Sequence, residues 1–226
     1  MSKPAKPQPF PANQQYIITL LRHGESDGNA AGIIQGQLDH PLTALGRQQA
    51  EILARRWKAR GVTFDFVIAS PLSRARQTAE IVAGELGLTL ELDPVWMERS
   101  FGLGEGLSGE AIRQQNPQAD FYHPYWPVAP GGESTIETYQ RALNGLLGIL
   151  RRPPGSYLIV SHGAILNMTI LAMMGIAPQG HYNSPRFRLG NTAYTRWSYN
   201  PETRQWYLLS FVNPEDWTSP DGADKG

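Results

Sequence analysis

The sequence has no cysteine among its 226 residues. This absence excludes disulfide bonds, thiolate metal sites and phosphatase chemistry with a cysteine nucleophile, and it suits a reducing compartment, so we expect a cytoplasmic protein. The formal net charge is +0 and the sequence pI is about 7.0, so the chain as a whole attracts neither nucleic acid nor an anionic membrane. Any anion must be bound by a local group of charges.

Long apolar segments and metal-binding motifs are missing as well. Residues 1–15 are rich in Pro, Lys and Gln and hold no apolar stretch, so we expect neither a signal peptide nor a membrane anchor there. The five histidines show no His-Glu-x-x-His or His-x-His spacing, so we expect no metal and no other cofactor. The composition predicts one globular domain over 16–217, between disordered tails at 1–15 and 218–226.

Six apolar runs have the length and composition of β-strands: 16–21, 64–69, 88–92, 157–161, 193–198 and 206–211. Helices are predicted between them, over 43–60 with Thr43 as the N-cap, from Ser70 as the cap and Pro71 onward, over 134–150 with a capping box of Ser134 and Glu137, and over 164–174. This alternation favours an α/β fold, a three-layer sandwich with a mostly parallel central sheet flanked by helices. The last two strands, joined by a short polar link, predict an antiparallel hairpin.

Charged and polar side chains follow the carboxyl ends of several predicted strands, where open α/β sheets bind their ligands. Arg22 and His23 follow the first strand, and His162 follows the fourth. Arg74 falls in the first turn of its predicted helix, where free backbone N–H groups also favour an anion. A lone histidine at such a place is more often structural. Together these residues predict one electropositive pocket.

The residue types in this pocket suit phosphoryl transfer. Neutral His23 can attack phosphorus if a hydrogen bond, for which a neighbouring backbone carbonyl is the expected acceptor, fixes its tautomer. Arg22, Arg74 and His162 can donate to the phosphoryl oxygens. Glu98, downstream of the third strand, is the candidate acid for the leaving oxygen, although other glutamates lie nearby in the sequence. A rate optimum between mildly acidic and neutral pH is expected.

Several short sequence blocks support this interpretation through their residues and their order along the chain. They are 21–26 with Asn29, 35–43 with Gly46 and 49–50, 70–79, Glu98, Gly102, 105–106, 131–134 and 161–163. With them the chain resembles the histidine phosphatase superfamily, also called phosphoglycerate mutase-like, between the two tails. The resemblance implies a metal-independent α/β sandwich in which His23 is phosphorylated and Glu98 donates a proton. It also implies phosphate or substrate contacts from Arg22, Asn29, Arg74, Arg99, His162 and Gly163.

The family includes hydrolases and mutases, and the segment over the site favours hydrolysis. Residues 119–133 contain no Lys or Arg, which a mutase would use to hold a second acidic group. They contain aromatic side chains that can exclude water or stack on a substrate, although packing is their commoner use: Phe121, Tyr122, Tyr125 and Trp126. Arg99 favours the opposite interpretation, because an arginine after the acid suits substrates with a second phosphate or carboxylate.

The sequence therefore predicts a phosphomonoester hydrolase acting on a small phosphorylated metabolite. Two alternatives stay open: phosphoglycerate mutase-type transfer, and a non-catalytic module that binds phosphate ligands. We expect neither a nucleic-acid nor a membrane partner, and a homodimer is one option for the assembly. His181, Arg186 and Arg188 either reach the substrate or belong to an exposed basic loop.

Overall fold

The structure, a computed structural model, describes residues 15–117, 120–121, 123–178 and 185–214. A six-stranded sheet has the order β3-β2-β4-β1-β5-β6. Its strands are β1 (Tyr16–Arg22), β2 (Phe66–Ala69), β3 (Leu90–Leu92), β4 (Ser156–Ser161), β5 (Tyr194–Asn200) and β6 (Gln205–Val212). The first four run parallel, whereas β5 is antiparallel to β1 and β6 to β5. The predicted mostly parallel sheet and terminal hairpin are confirmed.

In the described residues six α-helices accompany the sheet: α1 (Asp27–Ala30), α2 (Ala44–Ala59), α3 (Ser73–Leu86), α4 (Gly109–Gln115), α5 (Thr135–Leu150) and α6 (Gly163–Met173). Thr43 caps α2 through its side chain, and Ser134 and Glu137 form the predicted capping box of α5. Short 3₁₀ turns cover Pro94–Trp96 and Gly102–Gly104. None of the helices within the described ranges is both long and apolar enough to cross a bilayer.

Both faces of the central strands are buried, which explains why these strands are continuous apolar runs. On one face Ile159 of β4 packs in a cluster with Leu146 of α5 and Leu166 of α6. On the other face Val160 packs with Leu53 of α2 and with residues of α3. Alternate residues of one strand thus pack against helices on opposite faces of the sheet, and the three-layer sandwich is confirmed.

The prediction that Ser70 caps the third helix is wrong. Helix α3 begins at Ser73, its N-cap Leu72 makes no side-chain cap, and Asp39 accepts hydrogen bonds from the backbone N–H and the hydroxyl of Ser73. Ser70 instead contacts a histidine of the site described below. Strands β2 and β3 also start two residues later than predicted. Before β2, Phe64 packs edge-on against Trp57 and extends the core beyond the sheet.

The predicted tails at 1–15 and 218–226 lie outside the described residues, apart from Gln15. The single domain over 16–217 stays a prediction; its last three residues are also outside the described ranges.

Candidate active site

Two histidines meet at the carboxyl edge of the sheet. Because β1 and β4 are adjacent and in register from Ile17↔Ser156 to Arg22↔Ser161, the residues that follow them, His23 and His162, lie side by side. Their ring centroids are 5.1 Å apart, and the two side chains are 3% and 0% exposed. The sheet geometry therefore brings together residues that are 139 positions apart in the chain.

The tautomer of His23 is fixed by its own loop. Its Nδ1 lies 2.6 Å from the carbonyl oxygen of Gly24, and since a carbonyl only accepts, Nδ1 must carry the proton. The Nε2 lone pair is then available for attack. Burial, together with the charges of Arg22 and Arg74, lowers the pKa of His23 well below its usual 6.5, so the ring is neutral at neutral pH.

The loop that carries His23 depends on close backbone approach. A Cβ at Gly24 would lie 2.5 Å from the carbonyl oxygen of Gly46, which sits in the first turn of α2. The backbone N–H of Gly24 donates to Oγ1 of Thr78 in α3 at 3.0 Å. Helices α2 and α3 thus hold the loop from two sides, and a side chain at Gly24 would push them apart.

His162 has the opposite tautomer. Nε of Arg74 always carries a proton and donates to Nδ1 of His162 at 3.1 Å, so the proton of the imidazole is on Nε2 and is donated to Oγ of Ser70 at 2.8 Å. Burial and the neighbouring positive charges lower the pKa of His162 well below 6.5. Both ring nitrogens are therefore occupied, which differs from the expected donation by His162 to a phosphoryl oxygen.

Arg74 is 1% exposed and is held on three sides. Besides its bond to His162, Nη1 donates to the carbonyl of Leu38 at 2.8 Å and Nη2 donates to that of Gly36 at 2.7 Å. A guanidinium has five N–H donors, so two of them remain for an anion. The bidentate contact expected from the sequence is compatible with this arrangement.

Arg22 is held by a single contact, from Nη1 to the carbonyl of Leu189 at 2.6 Å, and its buried Nε has no hydrogen-bond partner among the described residues. Within those residues no carboxylate forms an ion pair with Arg22 or Arg74. Two buried positive charges without a direct counter-ion, next to a neutral histidine, favour binding of an anion. Arg22, His23, Arg74 and His162 are called the histidine centre below.

Glu98 lies at the N-terminus of α6, beside the histidine centre. Its Oε1 accepts from the backbone N–H of Arg99 at 2.8 Å and of Ile165 at 3.1 Å, and its Oε2 accepts from that of Ala164 at 3.1 Å. His162, the N-cap of α6, provides no side-chain cap, so Glu98 takes that role from another segment. The same carboxylate interacts electrostatically with both arginines of the centre.

Asn29 and Gly163 border the same region. Oδ1 of Asn29 accepts from the hydroxyl of Ser26 at 3.0 Å and from Nδ2 of Asn191 at 3.1 Å. Asn191 also donates to the backbone carbonyl of His23 at 3.1 Å, so it connects the loop of His23 to Asn29. Gly163, the first residue of α6, follows His162 directly.

Arg141 of α5 holds the segment that carries Glu98. It donates to the backbone carbonyls of Val95 and Glu98, both at 3.0 Å, and to that of Met97. It also forms an ion pair with Glu133 at 2.6 Å. No sequence pattern points to Arg141, Asn191 or the role of Ser70, because each acts through backbone groups or partners that only the fold brings near.

Arg99 is almost fully buried and spans two loops. Its Nε donates to the carbonyl of Glu133 and its Nη1 to that of Phe121, both at 2.9 Å, while the guanidinium lies 5.2 Å from the ring centre of Phe101. Beside it is a cavity of about 470 Å³, to which Arg186 and Arg188 also contribute. The stem of Arg99 and two of its nitrogens are thus used by the protein.

The aromatic segment over the site does not act as one unit. Phe121 lines the cavity, whereas Tyr125 and Trp126 are 65% and 69% exposed. Neither packing nor exclusion of solvent from a substrate, the uses considered for these aromatic residues, fits Tyr125 and Trp126, since both side chains face outward. Tyr122 and His181 lie outside the described residues.

No group of three or more His, Asp or Glu side chains in the described part of the chain has the arrangement of a metal site.

Comparison with known proteins agrees with this geometry. The sequence model of the histidine phosphatase superfamily (branch 1) matches residues 18–213. The chain belongs to this superfamily. Among curated relatives, the probable phosphoglycerate mutase GpmB of Yersinia enterocolitica is 35% identical over 189 residues, covering 80% of this chain and 84% of the relative. That of Escherichia fergusonii is 35% identical over 199 residues, covering 86% and 89%.

Solved structures with this fold include several phosphatases. A mycobacterial glucosyl-3-phosphoglycerate phosphatase superposes with a TM-score of 0.76 at 24% identity, covering 88% of this chain and 100% of the other, which shows the shared fold. YhfR of Bacillus stearothermophilus gives a TM-score of 0.75 at 30% identity, covering 86% and 95%. A phosphoserine phosphatase of Entamoeba histolytica gives 0.68 at 29% identity, covering 87% and 96%.

Proposed function

We propose that this protein hydrolyses a small phosphate monoester by transferring the phosphoryl group first to Nε2 of His23 and then to water. The observation that carries the proposal is the bond between Nδ1 of His23 and the Gly24 carbonyl, which leaves Nε2 unprotonated in a pocket with unpaired positive charge. The role of each site residue below is part of this proposal.

In the first step Nε2 of His23 attacks phosphorus as the bond from phosphorus to the ester oxygen breaks. Glu98, acting as a carboxylic acid, gives its proton to the departing oxygen. Arg22 and the free N–H groups of Arg74 bind the phosphoryl oxygens, while His162 orients Arg74. In the second step water attacks phosphohistidine, Glu98 takes a proton from that water, and inorganic phosphate leaves.

These residues supply charge stabilisation without a metal ion, so we propose a metal-independent enzyme. Arg22 and Arg74 occupy the place that a divalent cation would take in other phosphoryl-transfer sites. The expected result is full activity after dialysis against EDTA. Loss of activity that Mg²⁺ or Zn²⁺ restores would contradict this part of the proposal.

Hydrolysis is favoured over mutase transfer by the segment 119–133, which contains no Lys or Arg to hold a second acidic group. Mutase transfer is the second candidate, because curated relatives at 35% identity are named probable phosphoglycerate mutases. The test offers 3-phosphoglycerate with catalytic 2,3-bisphosphoglycerate. We expect phosphate release without rapid formation of 2-phosphoglycerate, and isomer exchange without phosphate release would overturn the proposal.

The binding-module alternative is tested with phenyl phosphate. We expect hydrolysis by the native protein and its abolition by His23→Ala, with the melting temperature measured for both. A native protein that binds inorganic phosphate but releases none from several esters would support the module instead.

A further inference from the structure

The cavity beside Arg99 lies next to Glu98, the residue proposed to protonate the leaving group. Gly163 and Ala164, at the start of α6, form part of its wall, and the backbone N–H of Ala164 holds the carboxylate of Glu98. A group departing from phosphorus toward Glu98 therefore leaves on the side of this cavity. This cavity is called the side cavity below.

The walls of the side cavity are mainly apolar. They include the side chains of Phe101, Phe121, Met168 and Phe187, and the volume of about 470 Å³ lies within the range of small-molecule sites. A three-carbon polyol acid such as glycerate would fill only a small part of this volume, and its hydroxyl groups would face apolar walls. The size and lining favour a larger, mainly apolar leaving group.

Two polar atoms in these walls are buried and have no hydrogen-bond partner among the described residues. They are Nη2 of Arg99 and Oγ1 of Thr135, the first residue of α5. A buried polar atom without a partner is destabilising, so a pair of them beside one cavity points to a ligand that supplies the missing acceptor.

Four carboxylates interact electrostatically with Arg99, and those of Glu98, Glu133 and Glu137 are engaged elsewhere, whereas Asp120 is the fourth. Glu133 pairs with Arg141, Glu137 accepts from Ser134 at the start of α5, and Glu98 accepts from three backbone N–H groups. Within the described ranges no carboxylate forms an ion pair with Arg99, so its charge is available to an anionic ligand group.

We propose that the side cavity selects a phosphate monoester whose leaving group has a mainly apolar body and one carboxylate, bound by Arg99 and Thr135. This inference rests on the proposed phosphatase function, because the cavity can select a leaving group only if His23 receives the phosphoryl group. Small side-chain movements around Arg99 accompany binding, since Nη2 is shielded from solvent in the free protein.

The test compares kcat/KM for three aryl phosphates of similar phenol acidity: phenyl, 4-propylphenyl and 4-(2-carboxyethyl)phenyl phosphate. Burial of the propyl chain should raise kcat/KM about tenfold over phenyl phosphate, and the carboxylate should add about a further tenfold. A native enzyme that prefers neither substituted ester would overturn the inference.

Three variants assign the preference to residues. Arg99→Met, which keeps an apolar stem, should lower the ratio of carboxylate to propyl ester about tenfold, and Thr135→Val should lower it about threefold. Met168→Trp should lower the ratio of propyl to phenyl ester, because the larger ring fills the cavity. The matched control Met174→Trp replaces an exposed methionine beyond the end of α6 and should leave all ratios unchanged.

The outcomes separate the two proposals. If His23→Ala removes phosphate release from all three esters while Arg99→Met and Thr135→Val leave the ratios unchanged, the side-cavity inference is wrong and the phosphatase proposal stands. If phosphate release does not depend on His23, the phosphatase proposal fails, whatever the ratios are.

Discussion

The histidine centre and the side cavity lie next to each other but differ in how many of their polar atoms have hydrogen-bond partners. In the histidine centre both ring nitrogens of His162 and three nitrogens of Arg74 are paired, and a carbonyl fixes Nδ1 of His23. In the side cavity a guanidinium nitrogen and a hydroxyl are buried without partners, among apolar walls. Apart from Arg22, whose buried Nε has no partner among the described residues, the first region is largely hydrogen-bonded before substrate arrives, whereas the second becomes so with it.

This difference separates the residues proposed to carry out the reaction from the residues proposed to select the substrate. Groups that stabilise a transition state act best when they are already oriented, as the network around Arg74 is. Groups that recognise one leaving group need only complement that group, and a related protein can change them without disturbing the nucleophile. Substitutions in the histidine centre should therefore affect every substrate, whereas those in the side cavity should change the ratios between substrates.

The largest effect is expected at the nucleophile. His23→Asn removes Nε2 while keeping a polar side chain, so kcat for every phosphate ester should fall on the order of 10⁴-fold or more. Steady-state phosphate release measures it for the three aryl esters. A loss that differed strongly among the three esters would contradict the claim that the histidine centre acts on every substrate and the side cavity on the ratios between substrates.

The next largest effect is expected at Glu98. Glu98→Gln removes the proton donor, and kcat for phenyl phosphate should fall about 10²- to 10³-fold. The loss should be much smaller for 4-nitrophenyl phosphate, because nitrophenolate leaves without a proton. Equal losses for both esters would indicate that Glu98 acts on the fold of the site and not as the acid.

A smaller effect is expected at Arg141, which positions the Glu98 segment without touching substrate. Arg141→Gln should lower kcat about tenfold, leave KM within about twofold and reduce the free energy of unfolding by about 2 kcal/mol. The matched control is Arg113→Gln, whose ion pair with Glu110 is exposed and should change stability by under about 0.5 kcal/mol. If Arg141→Gln changed stability but not kcat, its role would be structural only.

The last expected effect is on stability alone and is a dependence on pH. The pKa values of His23 and His162 are lowered in the folded protein, so between those values and about 6.5 only the unfolded chain binds the protons. Stability is full above pH 6.5 and is lost as the pH falls below it. Urea unfolding at about pH 7.5 and 5.5 should differ by about 2 to 3 kcal/mol. His162→Gln should remove about half of this difference, and an unchanged difference would contradict the buried neutral state of His162.

The sheet and the positions of its strand ends were predictable, because apolar runs buried on both faces leave a strong signal. This signal placed Arg22, His23 and His162 at one edge of the sheet, and the structure agrees. The cap of α3 was not predictable: Ser70 has the residue type of a cap, but its hydroxyl is needed by His162, and Asp39 from a distant loop takes over at Ser73.

The side cavity also could not be derived from the sequence. Its walls come from the loop after β3, from α5 and α6 and from the segment at 185–188, and no local pattern shows that these pack around one space. Arg99 was identified as a substrate residue, but the use of its Nε and Nη1 by backbone carbonyls depends on the loop path. Asn191 left no signal beyond its place in a polar loop.

The most direct measurement of the central claim is the site of phosphorylation. Native protein mixed with excess phenyl phosphate, quenched within milliseconds in alkali and digested, gives a peptide that contains residue 23. Phosphorus NMR and mass spectrometry should find phosphate on Nε2 of His23, because Nδ1 is held by the Gly24 carbonyl. Phosphate on Nδ1, or turnover at the full rate with no phosphohistidine at any time, would contradict the account.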